Sequence, residues 1–227
     1  MQLRRFDILA LIDVTLWAWM AWSVQRKRLA FFRGEFSQTE FFFYASLITV
    51  VLVLSWASLR RFAWHPALLG MVEVAALVAI LAGLVTTDGT RLYDCVLFSI
   101  RFDKYVHLIC SLVAALGVGA ILTAFGARPR RLEGAVIVLV VLGGGAIWEI
   151  VEYLVVRTFP DAGVGAYDNN MQDLMANLAG GLLSRALPRR WRDALEWVQE
   201  VAIQAHPGMA GVASDGYPTN PPGGEAD

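Results

Sequence analysis

Apolar runs close to the length of a membrane-crossing helix recur along this chain and constrain its fold more than any other feature. EFFFYASLITVVLVLSWASL and EGAVIVLVVLGGGAIWEIVEYL are the plainest of them. A helix needs about 20 largely apolar residues to cross the hydrocarbon core of a bilayer. Six candidate spans follow, at 6–24, 40–58, 66–85, 104–125, 134–156 and 171–187. The sixth, MQDLMANLAGGLLSRAL, is polar at its start, so protein rather than lipid is expected around its first turn. The first contains Asp7 and Asp13 and is followed by Arg26, Lys27 and Arg28 instead of a small-residue cleavage site. It reads as a retained helix and not a signal peptide.

Composition agrees. The chain is 57% hydrophobic and 17% charged, against roughly 25% charged in soluble domains. A formal net charge of −1 gives no support to nucleic-acid binding. The expected fold class is an all-α polytopic membrane bundle of about six transmembrane helices, with a short surface helix and a disordered C-terminal tail. The units are a transmembrane domain at 1–190, a cytoplasmic or interfacial helix at 191–206 and a tail at 207–227 rich in Gly and Pro. Cys95 and Cys110 are in no metal-type CxxC pattern, and a disulfide between them would need unusual proximity.

Arginines sort the two membrane sides. Arg60 and Arg61, then Arg128, Arg130 and Arg131, then Arg185, Arg189, Arg190 and Arg192 fall on one side of a six-span chain. The positive-inside rule makes that side cytoplasmic, with both termini there. Arg26, Lys27, Arg28 and Arg33 would face out and oppose the rule; an interfacial first segment would remove the conflict.

With this orientation, three spans carry acidic or polar ladders at the opposite, outer end. Asp103 and His107 are four residues apart at the start of the fourth span, with Ser111 one turn further in. Glu149 and Glu152 approach the end of the fifth. Asp168, Asn169, Asp173 and Asn177 open the sixth. Charged residues within spans normally face the protein interior or a water-filled cavity and pair there. Carboxylates gathered around one histidine need protons, a cation or basic groups between them. A divalent cation fits such a set, as does general acid–base chemistry. The expected catalytic residues are His107 and Glu149, with Asp103 orienting His107. The expected cation ligands are Asp173, Glu152 and Asp168. Each has a plainer explanation. Asp103 and Asp173 could cap helix starts, Glu149 could pair with Arg101 or Lys104, and the Gly143–Gly145 run could serve close helix packing. No nucleophile elbow, HExxH motif or P-loop is present.

The stretches FDKYVH, WEIVEY and DNNMQDLMANLAGG resemble the uncharacterised bacterial inner-membrane YjdF family, DUF2238, and more distantly VanZ-like membrane proteins. The likeness runs from about residue 40 to 188. It implies a compact helical protein of the bacterial inner membrane whose signature falls here on Asp103 and His107, on Trp148, Glu149 and Glu152, and on Asp173, Asn177 and Gly180. The family tends to show Asp-Thr-xx-Asp before its last helix. This chain has Asn169 and Asn170 at the first two positions and Asp168 one place earlier, so either Asp168 substitutes through a shifted turn or one carboxylate is lost. VanZ-like proteins are linked to glycopeptide resistance, a pointer to the cell envelope.

Three functions fit these residues. An envelope enzyme would act on a membrane lipid or lipid-linked headgroup at the outer side. A proton- or cation-coupled transporter would use the carboxylates as ion sites and would need Glu73 and Asp13 to continue the route. A structural or accessory protein would use the polar network for helix pairing alone.

Overall fold

A computed structural model of the chain describes residues 4–25, 38–88, 90–126, 132–158 and 167–200. The basic group at 26–33, the cluster at 128–131, the end of the expected surface helix at 201–206 and the expected disordered tail lie outside the described residues.

The expected all-α architecture is present. The long helices are α1 Arg5–Gln25, α2 Gln38–Leu59, α3 Pro66–Leu84, α4 Phe102–Ala124, α5 Glu133–Thr158 and α6 Tyr167–Ala186. Among the described residues, three stretches are long and apolar enough to cross a membrane: Pro66–Gly83, Phe102–Ala124 and Glu133–Leu154. The expected count of six spans goes beyond these three. Val72 and Val74 on α3, and Leu139, Val140, Ile147 and Ile150 on α5, stand exposed. So broad an apolar surface matches lipid contact and not water.

Helix α4 is the hub, packing against α3, α5 and α6. Its residues Leu116 and Ala120 meet Leu68 of α3, and Ala115 meets Ile137 and Val141 of α5. Against α6 the approach is closer still. A Cβ on Gly180 would collide with the backbone carbonyl of Leu108 and crowd Leu112 N at 2.9 Å, so only glycine lets the two backbones meet there.

Short strands close both ends. At the arginine-rich end, β1 (Phe62–Trp64) pairs antiparallel with β6 (Val198–Glu200). The start of α1 is tied to the same end. Arg4 donates to the Arg60 carbonyl at 2.6 Å, and Asp7 accepts from Trp56 Nε1 at 2.8 Å. The described beginning of the chain and its last described strand therefore sit on one side of the bundle.

The helix expected over 191–206 is shorter. Helix α7 covers Arg189–Leu195, and the chain then turns into β6. The cause is Glu196, a fully buried carboxylate that pairs with Arg185 of α6 in the space left by Gly119. A Cβ on Gly119 would overlap that carboxylate. Docking Glu196 into the bundle stops the helix and lays the following residues beside β1.

At the other end, the segment expected to be a loop folds into two small hairpins, β2 (Thr86–Thr87) with β3 (Thr90–Arg91) and β4 (Val96–Leu97) with β5 (Ile100–Arg101), around a 3-10 turn at Leu92–Asp94. Both turn residues of the second hairpin, Phe98 and Ser99, have positive φ (50° and 65°). A two-residue turn that follows strand twist requires that.

Replacing Gly180 by leucine should break the α4–α6 contact. The expected cost is at least about 1–3 kcal/mol, the usual penalty for overpacking, read as a lower unfolding temperature of purified protein in detergent. Leucine at neighbouring Leu182, which is exposed, exchanged for alanine should change it little. Equal effects at both positions would contradict the packing described.

Candidate functional site: a buried polar centre joining three helices

The polar end of the bundle is organised by one lysine. Lys104 is buried in the first turn of α4, and its Nζ lies within 3.2 Å of four oxygens. These are Asp103 Oδ2 at 3.1 Å, Asp173 Oδ1 at 2.7 Å, and Oδ1 and the carbonyl of Asn169 at 2.9 and 3.2 Å. A buried ammonium is tolerated only with partners of this kind. The pairing joins α4 to α6.

An outer layer continues it. Arg101 donates to Asp94 at 2.6 Å and to Asn169 Oδ1 at 2.8 Å, and lies 3.4 Å from Asp103. Arg91 donates to Asp94 at 2.6 Å. Three basic groups, Arg91, Arg101 and Lys104, thus face three carboxylates, Asp94, Asp103 and Asp173. That part of the centre is electrically balanced. Tyr93 lies beside Gly83 of α3, where a Cβ would stand 3.4 Å from its ring. Burial first, and then the neighbouring Cys110, Glu152, Asp103 and Asp173, push its phenol well above the ordinary range, so it remains protonated.

His107, one turn into α4, is held by α6 from two directions. Its Nε2 faces Asp173 Oδ1 at 3.4 Å, and its Nδ1 faces Asn177 Oδ1 at 3.3 Å. Ser111 donates to that same Asn177 oxygen at 2.7 Å and fixes the amide. Both nitrogens of the ring therefore point at acceptors. A neutral imidazole has one N–H and satisfies one of them.

Glu149 completes the centre from α5. It is 6% exposed, and neither carboxylate oxygen has a hydrogen-bond partner among the described residues. One ligand-type atom from each of His107, Glu149 and Asp173 lies within 4.8 Å of the other two. Native structures rarely leave a buried carboxylate undonated, because its desolvation is then uncompensated. Where it happens, a water, an ion or a reacting group is the usual explanation.

The residues singled out from sequence are distributed as follows. His107, Glu149 and Asp173 meet. Asp103 is buried beside them, but its described partners are Lys104 and Arg101, so Asp173 takes the place facing His107 that the i,i+4 spacing assigned to Asp103. Glu152 is half-buried and accepts from Trp148 Nε1 at 2.6 Å. Asp168 is exposed, and its neighbour Asn169 enters the network, accepting from Lys104 and Arg101 and donating to Asp173 Oδ2 at 2.8 Å. Asp13 of α1 and Glu73 of α3 lie near each other, away from this centre. Both cysteines are free thiols. Lys104 is the residue that spacing arguments undervalued. Its signal was a lysine inside a candidate span, flanked by an acid, which is costly unless something pairs with it.

A family model described as a predicted membrane protein, DUF2238, matches residues 8–194, a stretch that takes in all of the polar centre. The chain belongs to that family. The more distant likeness to VanZ-like proteins finds no support in the match. No curated protein and no solved structure matches the chain.

Replacing Lys104 by methionine leaves Asp103 and Asp173 buried without their ammonium. Breaking one partner of a buried pair costs about 3–5 kcal/mol, so the variant should lose stability in detergent or fail to accumulate. Adding Asp173→Asn to Lys104→Met should recover a substantial part of that loss. A double variant no more stable than the single one would contradict the pairing.

Proposed function

We propose that this DUF2238 protein is a multi-pass protein of the bacterial cytoplasmic membrane whose outward-facing polar centre acts on the headgroup of an envelope lipid or lipid-linked substrate. The arginine-rich end is then cytoplasmic, as the positive-inside rule requires. The polar centre lies at the opposite ends of α4, α5 and α6, at the depth where headgroups reside. Beside it, the β4–β5 hairpin carries exposed apolar side chains, with Phe98 86% exposed and Val96 66%, a composition suited to the lipid interface.

The observation that carries this reading is the undonated carboxylate of Glu149 next to His107. Asp103, Asp173 and the three basic groups satisfy one another and build a rigid wall. Glu149 is left to engage something that arrives, either directly or through a cation. His107, oriented by Asp173 and Asn177, is the group beside it able to take or give a proton. Arg101, whose side chain is 37% exposed, stands at the rim, where a headgroup phosphate would meet it. The carrier alternative draws on the neighbouring acids Asp13 and Glu73 as a second ionisable station between α1 and α3. It requires ion flux, which the headgroup reading does not.

The test is complementation of a strain lacking the protein, followed by mass spectrometry of its lipids and lipid-linked intermediates. His107→Ala, Glu149→Ala and Glu149→Gln should each reproduce the lipid profile of the empty strain, a loss of at least about 100-fold for an acid–base centre, at wild-type abundance in the membrane. A Glu149→Gln variant that restores the profile would favour a purely structural network. Loss that only follows falling abundance would also overturn the proposal.

A further inference from the structure

We infer that His107, Asp173 and Glu149 form a binding site for one divalent cation of the zinc or manganese type. The inference rests on the headgroup reading only for where such an ion would act; its chemistry stands on the three side chains. Ser111 holds the Asn177 amide so that its oxygen faces His107 Nδ1 at 3.3 Å. In a neutral ring that donates from Nδ1 to this oxygen, the lone pair of Nε2 is free for a cation on the side of Asp173 Oδ1, 3.4 Å away. A backing carbonyl on the far ring nitrogen is the usual support of a metal-ligating histidine.

Glu149 supplies the second, independent observation. It approaches from a different helix, is more than nine-tenths buried and has no donor for either oxygen among the described residues. Its carboxylate, His107 and Asp173 already lie within 4.8 Å of one another. Ligands about 2.1 Å from a tetrahedral ion stand about 3.4 Å apart, so a side-chain rotation on the order of an ångström closes the set. Lys104, Arg101 and Arg91 already face Asp94, Asp103 and Asp173, which leaves the Glu149 carboxyl without a hydrogen-bond partner among the described residues. One imidazole with two carboxylates favours zinc or manganese over calcium, which prefers six to eight oxygens. The set leaves a fourth position open, as catalytic sites do and structural ones do not. Neither Glu152, turned to Trp148, nor exposed Asp168 belongs to it.

The experiment uses the full chain, purified in detergent without a polyhistidine tag and stripped with a chelator. Titration calorimetry with zinc, manganese and magnesium chloride, alongside elemental analysis after dialysis, should give one equivalent of zinc or manganese. Binding should weaken at least tenfold in Glu149→Gln and in His107→Gln, while magnesium binds far less well. X-ray absorption at the edge of the bound metal should show a single imidazole among oxygen ligands, a readout that does not depend on any variant folding. No stoichiometric binding to the wild type, or binding that both substitutions leave unchanged, would overturn the site. A protein that binds the metal yet leaves the lipid profile unaltered would sink the headgroup reading and keep the cation. Intact lipid processing by protein that binds no metal would keep the headgroup reading and sink the cation.

Discussion

The ion pair between Lys104 and Asp173 governs the rest of the polar end. It places a buried ammonium of α4 2.7 Å from a buried carboxylate of α6, in a region where neither charge would be tolerated alone. Once that pair exists, Asn169 is drawn in from one side and Asp103 from the other, and Asp173 is presented to His107. Gly180 makes the approach feasible by letting the two backbones come together below the pair. Charge pairing and close packing thus support each other along the same two helices.

The opposite end is built on the same plan with different residues. Arg185 of α6 meets the fully buried Glu196, and Gly119 of α4 supplies the room. Arg192 adds a bond to the Arg185 carbonyl at 2.9 Å. The short β1–β6 sheet then covers this end. Lys104–Asp173 thus fastens α4 to α6 at the polar end, and at the opposite end Arg185 of α6 holds Glu196 against Gly119 of α4. Helix α5 is held mainly by apolar contacts such as Ile137 and Val141 against Ala115. Glu149 is thus the one carboxylate of the centre brought in by a helix that the ion pairs do not fasten at that level. This asymmetry explains how it can be buried and undonated at once.

Much of this was legible in the sequence, for identifiable reasons. Runs of apolar residues mark α3, α4 and α5 because crossing a bilayer demands length and composition together. The meeting of His107, Glu149 and Asp173 followed from topology: alternating helices and one-sided arginines put those three ends on the same side. What could not be read was rotation. Asp103 and His107 share a helix face, yet Asp103 turns to Lys104, and the side chain opposite His107 comes from another helix. Asp168 and Asn169 differ by about 100° around a helix start, which separates an exposed residue from one inside the network. Pairing of Phe62 with Glu200 depends on contacts remote in sequence, which no local pattern encodes. Glu196 carried no motif at all; its burial became visible only beside Gly119.

The central claim is that Glu149 is held in reserve for a ligand beside His107. A high-resolution map of the protein in a lipid nanodisc, prepared with zinc or manganese present, tests it most directly. A density peak is expected about 2.0–2.2 Å from His107 Nε2 and from oxygens of Asp173 and Glu149, with Asn177 still backing the ring. A Glu149 carboxylate turned away from His107 and hydrogen-bonded to another side chain, with no peak between the two, would contradict it.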